Sequence, residues 1–162
     1  YAMTGWRIGY AAGPRALIKA MGDVQSQVTS NPSSISQWAA VEALAGPQDD
    51  VAKMAGEFDQ RRRVMIQGLR AIPRMKCVTP GGAFYAFPNV SGLFGKRWQG
   101  TSLRGSTDVT AFLLEAARVA VVPGLDFGSD AHVRLSYATG LATIQEGLAR
   151  MDKAVRSLAH GD

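Results

Sequence analysis

A long stretch of helical periodicity between Asp49 and Ile72 constrains the fold of this chain more than any other feature. Two aspartates in its first turn suit the positive end of a helix dipole. A helix of this length is roughly twice the globular mean of about 11–12 residues, so we expect it to connect two lobes. Its apolar positions include Val51, Met54, Phe58, Met65, Leu69 and Ile72.

The residues before this helix predict one strand and two helices. Alternation over residues 7–12 predicts a strand, and apolar spacing over 14–28 predicts a helix. A second helix is predicted from a cap at Asn31 or Ser34 to a stop at Gly46.

After Ile72 short strand patterns alternate with helical ones. Thr79-Pro80-Gly81-Gly82 predicts a turn whose glycines can take positive φ. We expect strands over 76–78, 83–87, 119–122 and 133–138, a mobile loop over 90–107, and helices over 108–118 and 144–158.

This order of elements predicts an α/β or α+β class. We expect three parts. The first (1–48) ends a larger domain, the second (49–72) is the interdomain helix, and the third (73–162) is a small C-terminal domain.

The bulk properties exclude several classes of protein. The chain has 162 residues, 46% of them apolar, which is typical of a globular domain, and its net charge of +5 is scattered rather than gathered into a nucleic-acid stripe. The run Arg61 to Arg63 lies in the long helix and predicts a solvated face or an ion-paired turn rather than an anion site. No leader or membrane span is predicted, and Cys77 is a lone cysteine, so we expect a cytoplasmic protein.

Metal and triad chemistry are not predicted. His132 and His160 have no histidine or cysteine partner at metal-ligand spacing, and no Ser-His-Asp order or phosphate-cradling glycine fingerprint occurs. We expect no metal site.

Two arginines are candidate binding residues. Arg7 follows Gly5-Trp6 and could present a planar fork to a phosphate dianion, or face solvent. Alternation puts Arg134 on one face of a strand. There it could bind a ligand carboxylate, or pair with Asp126, Asp130 or another acid of the chain.

Three segments carry a family resemblance. Residues 1–10, Tyr-Ala-Met-Thr-Gly-Trp-Arg-Ile-Gly-Tyr, resemble the phosphate-anchoring segment of class I (fold-type I) pyridoxal-phosphate-dependent aminotransferases. Val-Arg-Leu-Ser-Tyr-Ala, from Val133, is similar to the segment that binds the substrate carboxylate, and residues 121–128 resemble the strand and turn before it. The first segment is nearest to prokaryotic aspartate aminotransferases.

The resemblance implies roles for individual residues. Arg7 would bind the phosphate of pyridoxal 5′-phosphate, and Arg134 would bind the α-carboxylate of the substrate. Phe84, within Gly81-Gly82-Ala83-Phe84-Tyr85, would line the substrate side. Ser30 and Asn31 would lie at a dimer interface, near the cofactor of the neighbouring subunit.

The resemblance also implies that the chain is the C-terminal portion of an α/β, fold-type I enzyme. The Schiff-base lysine would lie two residues before Tyr1, so we expect no catalytic residue in this chain and no activity from it alone.

The implied enzyme is a homodimer that moves an amino group between an amino acid, aspartate or glutamate favoured, and a 2-oxo acid. Its implied partners are these small molecules, and not nucleic acid or membrane. Three alternatives are an aminotransferase for aromatic amino acids or prephenate, a non-catalytic sensor domain of a transcription regulator, and a stand-alone interaction module.

Overall fold

The computed structural model describes residues 1–158. The helices are α1 (Arg15–Val28), α2 (Ser34–Ala45), α3 (Asp49–Ala71), α4 (Ser106–Ala117) and α5 (Leu141–Ser157). The strands are β1 (Tyr85–Ala86), β2 (Arg97–Trp98), β3 (Thr101–Ser102), β4 (Val122–Pro123) and β5 (Val133–Ser136). Short 3₁₀ turns cover Thr4–Trp6, Ser91–Leu93 and Gly124–Phe127.

The chain divides into two compact units, one of residues Tyr1–Met54 and one that begins at Ala55. The predicted long helix is confirmed as α3, whose first turns belong to the first unit. That it connects two domains, with parts at 1–48, 49–72 and 73–162, stays a prediction.

The strand predicted over residues 7–12 is wrong. Instead, Arg7 ends the first 3₁₀ turn with φ of +52° and donates its backbone N–H to the carbonyl of Thr4. A strand needs a neighbour to bond its peptide groups, and the described part of the first unit contains no other strand. The side chains of residues 7–12 alternate as in a strand, but no neighbouring strand within the described residues pairs with them.

Both helices of the first unit form where they are predicted, but the N-cap of the second helix differs from the prediction. Ser33, and not Asn31 or Ser34, occupies the N-cap position of α2, and its side chain makes no capping hydrogen bond. Gly46 ends α2 as predicted and donates to the carbonyl of Glu42 at 2.8 Å.

In the first unit, the apolar side chains of α1 and α2 are mostly exposed. The large ones include Leu17, Met21, Val24, Val28, Ile35, Trp38, Val41 and Leu44. These helices thus have the predicted apolar periodicity, but their large apolar side chains are not packed into a core among the described residues.

The second unit is built on a three-stranded antiparallel sheet in the order β1-β5-β4. Tyr85 lies opposite Ser136, and Val122 lies opposite Arg134. Helices α3, α4 and α5 contribute to one core with the sheet. The least exposed apolar side chains include Leu69, Val90, Leu93, Leu103, Phe112, Val133, Tyr137, Met151 and Val155.

The periodicity of α5 and the alternation of β5 are confirmed. Every predicted apolar position of the closing helix is buried: Ile144, Leu148, Met151, Val155 and Leu158. On β5, Val133 and Leu135 are buried and Tyr137 continues the pattern, whereas Ser136 is exposed and Arg134 is half-buried. Arg134 therefore lies on the face opposite the core.

Several predicted strands are shorter in the structure. Residues 76–78 contribute only a bridge between Lys76 and Asn89, because β1 pairs with β5 instead. Residues 119–122 are reduced to β4. In the turn that joins residues 76–78 to β1, Ala83 takes positive φ (59°), whereas the two glycines before it do not.

The loop predicted over residues 90–107 is wrong. It contains the hairpin β2–β3, whose two-residue turn, Gln99-Gly100, has positive φ at both positions. Leu93 and Leu103 are buried on either side of the hairpin and hold it to the core. The helix predicted from Asp108 is confirmed but begins two residues earlier, as α4.

The basic run from Arg61 to Arg63 is ion-paired on α3, which confirms the ion-paired alternative. Arg61 pairs with Glu57, while Arg62 and Arg63 both pair with Asp59. The hydrogen bond from Arg62 lowers the pKa of the Asp59 carboxyl.

Neither a membrane span nor a metal site is found within residues 1–158. No helix there is long and apolar enough to cross a membrane, and no group of three potential metal ligands occurs in the same range. Cys77 is a buried free thiol whose pKa is raised by burial. His160 lies outside the described residues.

Candidate functional site

Arg134 lies on the non-core face of the sheet beside two aromatic rings. Its guanidinium carbon is 4.5 Å from the ring centroid of Tyr85 on β1 and 4.2 Å from that of Phe127. The register explains the first contact: Tyr85 lies opposite Ser136, which makes Arg134 its diagonal neighbour on the same face. Both contacts fall within cation–π range.

The second ring comes from the 3₁₀ turn that follows β4. Gly124 starts this turn and has no room for a side chain, because a Cβ atom there would overlap the backbone carbonyl oxygens of His132 and Ser129. The backbone of Gly124 bonds both residues, donating to the carbonyl of His132 and accepting from the N–H of Ser129. The turn is thereby fixed against the start of β5, with Phe127 at its end.

Two further side chains extend the aromatic surface. Phe87 stacks on His132, with ring centroids 4.8 Å apart and planes within 10°. It also meets the ring of Phe127 edge-on at 6.4 Å. The hydroxyl of Ser129 lies 2.8 Å from Nδ1 of His132. A row of four aromatic side chains therefore lies along this face.

Arg134 does not pair with the acids that the sequence offered as partners. The Asp130 carboxylate instead accepts hydrogen bonds from the backbone N–H and the hydroxyl of Ser106, which lower its pKa. Among residues 1–158, no ion pair or hydrogen bond joins the guanidinium to Asp126 or to any other group. Its planar fork of N–H donors is left for a ligand.

Arg7 stands in the first unit at the end of an exposed turn. One of its guanidinium nitrogens donates to the carbonyl of Thr4 at 3.0 Å. The buried hydroxyl of Ser36 on α2 donates to the carbonyl of Trp6 at 2.9 Å, which ties the turn to that helix. Within the described residues no carboxylate pairs with Arg7, so its other donors can bind an anion.

Residues 1–151 match the family described as aminotransferase class I and II. The chain belongs to this family. It is 52% identical, over 160 residues, to an aspartate aminotransferase of Rhizobium meliloti strain 1021. This match covers 98% of this chain and 39% of the relative. A probable aspartate/prephenate aminotransferase of Rickettsia bellii is 48% identical over 159 residues, covering 98% of this chain and 40% of that protein.

Solved structures of aminotransferases share the fold. The crystal structure of the Rhizobium meliloti aspartate aminotransferase matches with a TM-score of 0.89 at 52% identity, over 96% of this chain and 39% of that one. An aromatic aminotransferase of Pyrococcus horikoshii matches with a TM-score of 0.84 at 34% identity, over 96% and 40%. The predicted family and the α/β, fold-type I class are confirmed, and the chain spans about two fifths of the length of these relatives.

Class I and II aminotransferases depend on pyridoxal 5′-phosphate, and Arg7 fits the phosphate of that cofactor. Its guanidinium is exposed, carries no described carboxylate partner and sits on a turn that Ser36 ties down. Lys19 is a poor candidate for a covalent link, because it pairs with Asp23 on the surface of α1 at 2.7 Å. That the Schiff-base lysine precedes Tyr1 stays a prediction.

Phe84 and Tyr85 occupy different surroundings. Phe84 packs 6.3 Å from the ring of Phe58 on α3, in a cleft that also includes Tyr137. The Tyr137 hydroxyl donates to the carbonyl of Ala83 at 3.0 Å and closes the turn there. The structure thus brings Tyr85, and not Phe84, to Arg134. A substrate contact of Phe84 stays a prediction.

Ser30 and Asn31 lie in the exposed link between α1 and α2, where Ser30 has a φ of +65°. Their predicted place at a dimer interface stays a prediction.

Sequence reasoning missed Tyr85 and Phe127 as neighbours of Arg134. Phe127 lies in a segment similar to the family pattern, and Tyr85 is one residue from the predicted Phe84. The missing signal was the register between β1 and β5, which the sequence does not contain.

Proposed function

We propose that the full-length protein carrying this chain is a pyridoxal-phosphate-dependent aminotransferase that moves an amino group between an amino acid, aspartate or glutamate favoured, and a 2-oxo acid. The observation that carries the proposal is Arg134, an arginine with no described acidic partner, held on a strand by two rings. The 52% identity to an aspartate aminotransferase supports the choice of substrate.

In this proposal Arg134 binds the α-carboxylate of the substrate. Two parallel N–H donors match the two carboxylate oxygens, and β5 fixes where that pair sits. Arg7 binds the phosphate of the cofactor through a charge that persists at any physiological pH. When bound, pyridoxal phosphate supplies an electron sink for proton removal at the substrate Cα. The residue that moves this proton is the lysine predicted before Tyr1.

The second candidate function is amino transfer from aromatic amino acids or prephenate. The exposed aromatic row of Tyr85, Phe127, Phe87 and His132 beside Arg134 favours it, because such a surface can pack on an apolar ring. The relatives reported above are named as enzymes, which favours either activity over a sensor domain or an interaction module.

We also propose a cytoplasmic homodimer. The exposed link at Ser30 and Asn31 supports a subunit contact, and the lone free thiol of Cys77 supports a reducing compartment. Sedimentation of the full-length protein tests the dimer.

Substrate assays on the purified full-length protein test the activity. With pyridoxal phosphate and 2-oxoglutarate present, we expect glutamate to form from aspartate with a higher kcat/KM than from phenylalanine. Arg134→Gln is the matched inactive control. A higher kcat/KM for phenylalanine would favour the second candidate, and no transfer from any amino acid would refute both.

A further inference from the structure

We propose that Phe127 and Tyr85 are positioning residues, whose rings hold the guanidinium of Arg134 in one orientation before a substrate arrives. The proposal rests on the proposed function, since it takes Arg134 as the residue that binds the substrate carboxylate. It adds two side chains that would set how strongly that carboxylate is held.

The first argument is that the rings leave the N–H donors of Arg134 available. Other arginines of this unit are oriented by hydrogen bonds that use their donors, as Arg70 is by the carbonyl of Cys77 and the hydroxyl of Thr79. Arg134 has no such bond within residues 1–158, and its described contacts are ring faces at 4.2 and 4.5 Å. A ring face attracts the cation without accepting its N–H groups, so all five donors stay free.

The second argument is that the backbone segments that carry both rings are fixed. Tyr85 belongs to β1, which is paired with β5 in the register that places the ring beside Arg134. Phe127 belongs to the turn that begins at Gly124. In that turn the N–H of Leu125 donates to the hydroxyl of Ser106 at 3.2 Å, and Phe87 supports the Phe127 ring edge-on.

The consequence for binding is entropic. A free arginine side chain must give up rotamer freedom when it grips a carboxylate, which weakens the interaction. Rings that already restrict the guanidinium remove that cost from the binding step. Because the substrate keeps its carboxylate throughout the reaction, the gain should be uniform: KM should respond, and kcat should not.

The test compares Phe127→Leu with Phe127→Tyr in the full-length holoenzyme. Leucine keeps an apolar side chain but has no ring face, whereas tyrosine restores it. Phe94→Leu is the matched control, since it makes the same substitution at a half-buried site outside the aromatic row. The two readouts are the Kd of maleate, a dicarboxylate with no amino group to transfer, and KM and kcat for aspartate and alanine.

We expect Phe127→Leu to raise the Kd of maleate and the KM of both amino acids by about three- to tenfold, with kcat changed less than about twofold. Phe127→Tyr should recover most of that loss. A maleate Kd for Phe127→Leu that equals the Phe94→Leu value would overturn the proposal, as would a loss in Phe127→Tyr as large as in Phe127→Leu.

Two provisions keep the outcomes separate. Should Phe127→Leu fail to fold, Tyr85→Leu against Tyr85→Phe reads the other ring with the same expectations. A wild-type protein that transfers no amino group would refute the proposed function. Comparing its maleate Kd with that of Phe127→Leu would still test the positioning role. An active wild-type protein with normal maleate binding in Phe127→Leu refutes the positioning role alone.

Discussion

Helices α1 and α5 have the same kind of apolar periodicity and opposite burial. Every predicted apolar position of α5 is buried, whereas none of the residues of α1 is. The two arginine side chains also differ. The guanidinium of Arg134 in the second unit contacts two rings, while that of Arg7 in the first donates one hydrogen bond to the carbonyl of Thr4. Periodicity therefore decides which face of a helix is apolar, but burying that face requires other elements to pack against it. Among the described residues, only the second unit contains such a core.

The largest expected effect lies in the core of the second unit. In the full-length protein, Phe112→Ala should lower the free energy of unfolding by about 3–5 kcal/mol, because the ring is fully buried and its loss leaves a cavity. Urea unfolding measures this, and Leu114→Ala, at an exposed site of the same helix, should cost much less. Trp38→Ala in the first unit sharpens the comparison, since a comparably large loss there would show that this exposed side chain is covered in the full-length protein.

Loss of the Arg7 side chain should come next. In the full-length protein, Arg7→Ala should weaken retention of pyridoxal phosphate by on the order of 1.5–3 kcal/mol, because a charged hydrogen-bond donor is removed from the phosphate. Absorbance titration of the apoenzyme with the cofactor measures the affinity. Arg15→Ala, at a nearby exposed arginine of α1, should bind the cofactor as the wild type does. Equal affinity in the two variants would return Arg7 to a solvent-facing role.

A smaller and uniform loss is expected from Arg134→Lys. Lysine keeps the charge but lacks the planar fork, so kcat/KM should fall by about tenfold for aspartate, alanine and phenylalanine alike. Arg104→Lys, at an exposed site, serves as the control. A loss confined to aspartate would mean that Arg134 reads the distal carboxylate, and unchanged values for all three would leave it a structural residue.

The smallest effect concerns Asp130, which is exposed. Its folded pKa is lowered by hydrogen bonds from Ser106, so its contribution to stability is present above the unfolded pKa of about 3.9 and is lost as the pH falls through the lower folded value. Urea unfolding between pH 7 and pH 2.5 should show wild type and Asp130→Ala converging below about pH 4. A gap that does not narrow as the pH falls below about 4 would contradict the linkage.

The sequence predicted the long elements well and the short ones poorly. Helices α3 and α5 span many turns, so their periodicity is clear, and the alternation of β5 placed Arg134 on the correct face. Strands β2 and β3 have two residues each, too few to show a period, so their hairpin was taken for a loop. The pattern over residues 7–12 failed for another reason, because pairing depends on a partner strand.

The candidate site was predicted in part for the same reason. Arg134 and Arg7 were each identified from a local motif, and recognising such a motif requires no knowledge of packing. The rings of Tyr85 and Phe127 reach Arg134 only through the register of β1 on β5 and the turn after β4. Those contacts are tertiary, and no local pattern encodes them.

The tight fit around Gly124 has a consequence for how this sequence can vary. A methyl group there would overlap two carbonyl oxygens of the backbone, which cannot rotate away as a side chain can. Even alanine would have to displace the turn that carries Phe127. In a library of all twenty amino acids at position 124, selected for growth that requires the proposed activity, glycine should be the residue recovered. The same library at Leu125, which is exposed, should return a broad set.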